Sequence, residues 1–302
     1  MIDDKNDPNL AILSAHAAVA AGVIAVIGHL NTDASIAAAK IYNDAGIPQL
    51  TPTAAGRKLT QLGYANMFQM LGHTGYTGQY LADIACHVLH AQRIMLIENN
   101  AIFDQELGKN FTDALHNGGQ RVVETDSINI KKSDFNSTIA KIIASHPDLI
   151  FFTGITPQSG AFAKHLQEVG VGTQLLLAGG AVNAQFPKHT DEYPDHTLLL
   201  AAGNPIEKAP DFKHLEKSYG DAFSSALLPH SWRTYDALAM LVEAMKLTNS
   251  LDPHRLSPAL HQMKFKGLSG TLSFATDGSL RNPTYTLYRA EQGHWKMIRP
   301  LP

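Results

Sequence analysis

Short apolar runs alternate with longer amphipathic stretches along this chain, and that alternation leaves few folds open. Val23-Ile24-Ala25-Val26-Ile27-Gly28, residues 47–50, Arg93-Ile94-Met95-Leu96-Ile97, Leu149-Ile150-Phe151-Phe152-Thr153 and Leu175-Leu176-Leu177 are apolar without alternation. Strands of that kind are covered on both faces, as in a parallel sheet flanked by helices. Helical patterns fall between them at 9–21, 34–45, 78–90, 105–117, 137–145 and 159–169. Gly22, Gly46, Gly118 and Gly170 follow helical stretches where C-terminal caps belong. The order predicts an α/β fold, doubly wound rather than a barrel, because the βα units are too few for eight.

The last third changes character. Residues 211–225 and 233–247 read as helices, and 264–273 and 285–289 as strands. Asp277-Gly278 and Gln292-Gly293 mark the turns of antiparallel hairpins. A chain of 302 residues exceeds what one core usually holds, so two lobes are expected. No linker or repeat marks a boundary. Met67-Phe68-Gln69-Met70 reads as a crossing strand, with a return near 198–202. Residues 1–69 and 204–266 then form an N-terminal lobe, and 70–203 and 267–302 a C-terminal lobe.

Composition excludes several classes of function. Hydrophobic residues make up 44% and formal net charge is -3, which argues for buried cores and against nucleic acid as a partner. The single cysteine, Cys86, excludes an internal disulfide and a thiolate zinc cluster. No apolar run is long enough to span a membrane. The start, Met1-Ile2-Asp3-Asp4-Lys5-Asn6-Asp7-Pro8, lacks the basic and apolar stretches of a secretory signal. As it stands, that predicts a cytoplasmic chain.

Motifs for catalysis or cofactors are missing. There is no phosphate-binding loop: Gly72-His73-Thr74-Gly75-Tyr76-Thr77-Gly78 precedes a helix and has no lysine. Gln158-Ser159-Gly160 lacks the flank of a nucleophile elbow. Cys86, His87 and His90 share a helix, but no carboxylate completes a metal set. The reading is therefore not an enzyme, with no cofactor and no metal. Two loops stand out instead. Gly28-His29-Leu30-Asn31-Thr32-Asp33-Ala34 follows a buried strand and opens a helix, and Thr51-Pro52-Thr53-Ala54-Ala55-Gly56 follows the next strand. Both fall at the carboxyl ends of parallel strands, where α/β sheets bind ligands. Hydroxyls beside the free N–H groups of a helix N-terminus suit a carboxylate.

Those residues carry a resemblance. Val26-Ile27-Gly28-His29-Leu30-Asn31-Thr32 and Ala39-Lys40-Ile41-Tyr42-Asn43-Asp44-Ala45-Gly46-Ile47-Pro48-Gln49-Leu50-Thr51-Pro52 resemble the leucine/isoleucine/valine-binding proteins of bacterial ABC importers. Asp148-Leu149-Ile150-Phe151-Phe152-Thr153-Gly154, Tyr235-Asp236-Ala237 and Gly267-Leu268-Ser269-Gly270-Thr271-Leu272-Ser273-Phe274 follow in the same order. The resemblance implies the type I periplasmic-binding-protein fold: two doubly wound lobes, a ligand in the cleft between them, an ABC permease as partner and a periplasmic location. It also implies an incomplete N-terminal lobe, because the family's first strand and helix precede the point matched by Ile2-Asp3-Asp4. Bare apolar faces cost about 1.5–3 kcal/mol per large side chain. An edge left open beside residues 23–28 is expected to destabilise the lobe or drive self-association through it.

By the same resemblance the ligand site comprises Leu30, Asn31, Thr32, Thr53, Ala54 and Ala55, faced by Phe103, Ile155, Thr156, Gly179 and His230. Thr32 matches the family's hydroxyl for the ligand carboxylate, and Thr53 the carbonyl for its ammonium. Ala55 stands where the family has a second hydroxyl, and Gly179 where it has the acid that neutralises the ammonium. A buried unpaired ammonium costs several kcal/mol. A carboxylate with an apolar tail therefore fits better than a standard zwitterionic amino acid. Two further readings stay open: a truncated or non-functional binding-protein fragment, and a ligand sensor with the same core.

Overall fold

The structure, a computed structural model, describes residues 2–128, 134–154, 158–179, 193–205, 208–209, 212–225 and 227–301. The chain divides into two compact units, residues 1–73 with 204–283 and residues 74–203 with 284–302.

Unit 1 is built on a three-stranded parallel sheet of β1 (Val26–Ile27), β2 (Gln49–Thr51) and β3 (Met67–Gln69), in that order. One face packs on α1 (Pro8–Ala20) and α2 (Thr32–Asp44) through Ala11, Ala15, Ala34, Ala38 and Tyr42. Alanines at this spacing let the two helices approach closely. α1 starts where the Asp7 carboxylate accepts the Asn9 N–H and Pro8 occupies the first helical position. The short α3 (Arg57–Thr60) adds Leu59 beside Ala39, Ala54 and Met67. Over the other face, Leu50 and Phe68 meet Ala237, Met240, Leu241, Leu256 and Leu260. Those side chains come from α9 (Pro229–Thr248) and α10 (Pro253–Gln262).

β2 and β3 are buried throughout, whereas residues 23–27 are only half-buried. β1 pairs with β2 alone, and among the described residues no strand lies along its other edge. Val26 and Gly28 direct their N–H groups to Pro48 and Leu50, both on the β2 side. The strand expected over 23–28 is accordingly short, since only its β2 side is paired.

Unit 2 holds a seven-stranded sheet in the order β12-β11-β8-β7-β6-β4-β5. β4 (Ile94–Asn99), β5 (Val122–Ile128), β6 (Leu149–Phe152), β7 (Gln174–Ala178) and β8 (Thr197–Ala202) run parallel. β11 (Tyr285–Glu291) and β12 (His294–Leu301) close one side as an antiparallel hairpin. α4 (Thr74–Asp83) and α5 (Ile102–Asn117) cover one face, and α6 (Asn136–Ser145) and α7 (Gln158–Glu168) the other. α4 continues into a wider turn at Ile84–Val88 that carries Cys86, half-buried rather than buried. Among the described residues no three His, Cys, Asp or Glu side chains are grouped to hold a metal, and no helix is long and apolar enough to cross a membrane.

Two differences from the sequence reading have physical causes. Residues 267–283 belong to unit 1, not to the second lobe. The antiparallel hairpin of β9 (Phe265–Gly267) and β10 (Gly270–Leu272) buries Leu272, and the following turn buries Phe274 and Leu280, against Leu50 and Phe68. Gly278, at φ +79, brings that turn so close to β3 that a Cβ would collide with the Met67 carbonyl. Its own carbonyl accepts the Gln69 N–H at 2.9 Å. α10 was not anticipated, although its cap is plain: Asp252 accepts the His254 N–H at 3.0 Å and Pro253 follows.

The β9–β10 turn hangs on one charge. Asp236 of α9 is fully buried and accepts the N–H groups of Leu268 and Ser269, each at 2.8 Å. Removing it strands two donors. Asp236→Ala is expected to destabilise unit 1 by about 3 kcal/mol, with Asp236→Asn recovering part of the loss. Urea unfolding in a Trp295→Phe background checks this, since Trp232 then reports unit 1 alone.

Candidate functional site

The two loops singled out in the sequence meet at the carboxyl edge of the unit 1 sheet. α2 starts after Asn31, whose extended backbone (φ -104, ψ 153) ends the loop without a side-chain cap hydrogen bond. The N–H groups of the first turn thus keep their donor capacity, and the helix dipole adds partial positive charge there.

Hydroxyls join the loops. Thr32 Oγ1, buried, accepts the Gly56 N–H at 3.1 Å, and its own proton remains available to donate. Thr53 Oγ1 donates to the Leu30 carbonyl at 2.6 Å. Thr51 Oγ1 donates to the His29 carbonyl at 3.2 Å and accepts the Ala54 N–H at 3.0 Å. From beneath, Gln69 Nε2 donates to the carbonyls of Ala54 and Gly56 at 3.1 and 2.9 Å. Ala55 is buried and its N–H makes no hydrogen bond, so it remains a donor beside Thr32's partner Gly56. Leu30, 58% exposed, offers an apolar surface at the same edge.

Leu30, Asn31, Thr32, Thr53, Ala54 and Ala55 are therefore brought together, and the arrangement can donate several hydrogen bonds to an anion. Gln69 was missed by the sequence reading, and Thr51 was named in the second loop but not among the ligand contacts. Their signal was faint: polar residues in otherwise apolar, wholly buried surroundings, where a polar group must have a partner.

His230 also belongs to unit 1, at the second residue of α9. Its Nδ1 is buried with no hydrogen-bond partner. Burial first, and the Arg233 charge second, pull its pKa down to about 4.

The other expected contacts belong to unit 2. Gly179 follows β7, and no described residue beyond its chain neighbours lies within 4 Å of the position a Cβ would take. Phe103 lies in the first turn of α5, half-buried against the cluster of Phe111 and Phe151. Ile155 and Thr156 lie outside the described residues. At the same carboxyl edge, Asn99 Nδ2 and Thr153 Oγ1 are buried without partners. Glu98, half-buried on β4 beside Gly108, has its carboxyl pKa raised by burial. Asn99 and Thr153 were not placed in the site by the sequence, and Glu98 stands there only as an alternative acid, with Asp33, for a ligand ammonium.

Comparison with known proteins gives the family. A family model described as "Periplasmic binding protein" matches residues 1–294, and the chain belongs to that family. Among similar proteins is a Leu/Ile/Val-binding protein homolog 1 of Brucella suis, 27% identical over 96% of this chain and 78% of that protein. The leucine-specific-binding protein of Salmonella typhimurium is 26% identical over 95% of this chain and 78% of its own length. The fold matches the crystal structure of a leucine-binding protein from Thermotoga maritima with a TM-score of 0.89 at 19% identity, over 99% of this chain and 86% of that one. A solute-binding protein of an ABC transporter from R. palustris, crystallised with benzoate, matches with a TM-score of 0.88 at 17% identity, over 100% and 84% of the two chains. The α/β type I periplasmic-binding-protein fold is thus shown, and the relatives are substrate-binding proteins rather than enzymes.

Two outcomes follow from this geometry. Thr32→Val is expected to weaken binding of a carboxylate by about 1 kcal/mol or more, because a hydrogen bond to charge is lost, while Thr32→Ser retains it. Calorimetry on both variants measures the difference, and equal affinities would dissociate Thr32 from the ligand. The second concerns acid. With its folded pKa below 6.5, His230 binds its proton more readily in the unfolded chain. Its contribution to stability is complete above pH 6.5 and declines as pH falls from there to about 4. Replacing it by Asn is expected to remove a decline on the order of 2–3 kcal/mol, read from urea midpoints across that range.

Proposed function

We propose that this chain is the solute-binding component of an ABC importer and that its ligand is a small carboxylate with an apolar or aromatic body. The observation that carries the reading is the unit 1 loop pair. An uncapped helix N-terminus, a Thr32 hydroxyl with a proton to give and an unused Ala55 N–H converge there. All are donors, which suits a carboxylate.

Selection against ordinary amino acids rests on what is lacking. Gly179 supplies no carboxylate where relatives are expected to neutralise an ammonium. Glu98 is a poor substitute, since burial favours its neutral form. Leu30 offers apolar surface beside the unit 1 loops instead. The R. palustris protein crystallised with benzoate gives this ligand class a precedent on the same fold. An ABC permease as partner and a periplasmic setting follow from the family.

Titration calorimetry with benzoate and with leucine separates the alternatives. Benzoate is expected to bind at least about tenfold more tightly than leucine, because an unpaired buried ammonium costs more than 1.4 kcal/mol, roughly that factor. Tighter binding of leucine would overturn the reading and point to Glu98 as the acid. Loss of leucine binding in Glu98→Gln would then identify it.

A further inference from the structure

His29 lies between the end of β1 and Thr32, and both its ring nitrogens are engaged. Nδ1 is 2.6 Å from Asp4 Oδ2, and Nε2 is 3.1 Å from the Tyr42 hydroxyl. The ring also stacks on Tyr42, with centroids 5.9 Å apart at 27°. Asp4 belongs to the N-terminal turn, where its Oδ1 accepts the Asn6 N–H at 2.8 Å. Tyr42 is on α2 and 2% exposed. The backbone of His29 is held as firmly, its carbonyl accepting from Ser35 Oγ and Thr51 Oγ1 at 3.3 and 3.2 Å.

We propose that His29 is a positioning residue, which fixes the loop carrying Thr32 by bridging Asp4 of the N-terminal turn to Tyr42 of α2. The inference rests on the carboxylate-binding role given above to that loop. The chemistry assigns the proton. A carboxylate only accepts, so Nδ1 carries the hydrogen toward Asp4, and Nε2 accepts from the Tyr42 O–H. Tyr42 keeps its proton, since burial first and the Asp4 charge second push its pKa up to about 12. Without His29, Asp4 Oδ2 and a buried hydroxyl lose this partner, and the loop loses the anchors on its two sides. The hydrogen bond between Gly56 N–H and Thr32 Oγ1 then reports loop position directly, because it spans the two loops.

The test compares wild type, His29→Phe, His29→Asn, which retains a donor near the Nδ1 position, and Tyr42→Phe. Leu256→Ala serves as a control that destabilises unit 1 from α10, outside the hydrogen-bonded frame of the loops. Nitrogen-15 NMR of the wild-type ring is expected to show the proton on Nδ1. Amide exchange at Gly56 is expected to quicken by about tenfold in His29→Phe, to fall back toward wild type in His29→Asn, and to stay unchanged in Leu256→Ala. Affinity for benzoate is expected to follow the same order. A proton on Nε2, unchanged Gly56 exchange in His29→Phe, or no rescue by Asn would overturn the proposal. Failure of wild type to bind benzoate would overturn the carboxylate reading alone, and Gly56 exchange would still decide the role of His29.

Discussion

The loop pair of unit 1 depends on side-chain hydroxyls where backbone pairing has ended. β1 and β2 stop at Ile27 and Thr51, and past the Gly28 N–H bond to Leu50 no ladder bond among the described residues joins the two loops. Thr51, Thr53 and Thr32 take over, each bonding to the other loop. Buried polar groups of this kind are costly when unpaired and rigid when paired, since the low local dielectric strengthens each bond. The loops therefore keep a fixed shape without the bulk that would fill the space a ligand needs. The donors left over, at the α2 N-terminus, Thr32 and Ala55, follow from that economy of partners.

Support for this edge comes from below as well. Gln69 sits at the end of β3, wholly buried, and gives both amide protons to carbonyls of the second loop. Its own N–H is bonded to Gly278, so the turn after β10 and the loop after β2 meet through one side chain and its backbone. Asp236 secures the other end of the same turn region. Residues far apart in sequence are thus linked into one hydrogen-bonded frame under the candidate site.

Much of this architecture was legible in the sequence. Val23–Ile27, Leu149–Phe152 and Leu175–Leu177 announce parallel strands because a strand apolar on both faces has no other stable environment. The helices between them follow from amphipathic spacing and glycine caps. The location of the hydroxyl loops follows too, since a loop after such a strand lies at the sheet's carboxyl edge. What could not be read was the packing partner of the β9–β10 hairpin. Leu272, Phe274 and Leu280 are apolar and would fit either core, and only the tertiary contact with Phe68 assigns them. Likewise, a threonine in a loop is a cap, a tether or a ligand contact until its partner is known.

The same distinction separates the two sheets. In unit 2 the parallel strands β4, β6, β7 and β8 are enclosed, with β5 and the β11–β12 hairpin at the sides, and Phe151, Phe152, Leu176 and Leu199 are wholly buried. In unit 1 the apolar residues of β1 are half-buried along an edge that no described strand occupies. Paired backbone and full cover normally fix a strand, so this one needs other restraints. β1 has four: its ladder to β2, Val26 against the α1–α2 core, Ala25 and Ile27 against the α9–α10 core, and the His29 bridge at its exit. His29 thus also anchors the edge strand of the three-stranded sheet. Conformational stability of this lobe and geometry of its candidate site are therefore coupled at one side chain.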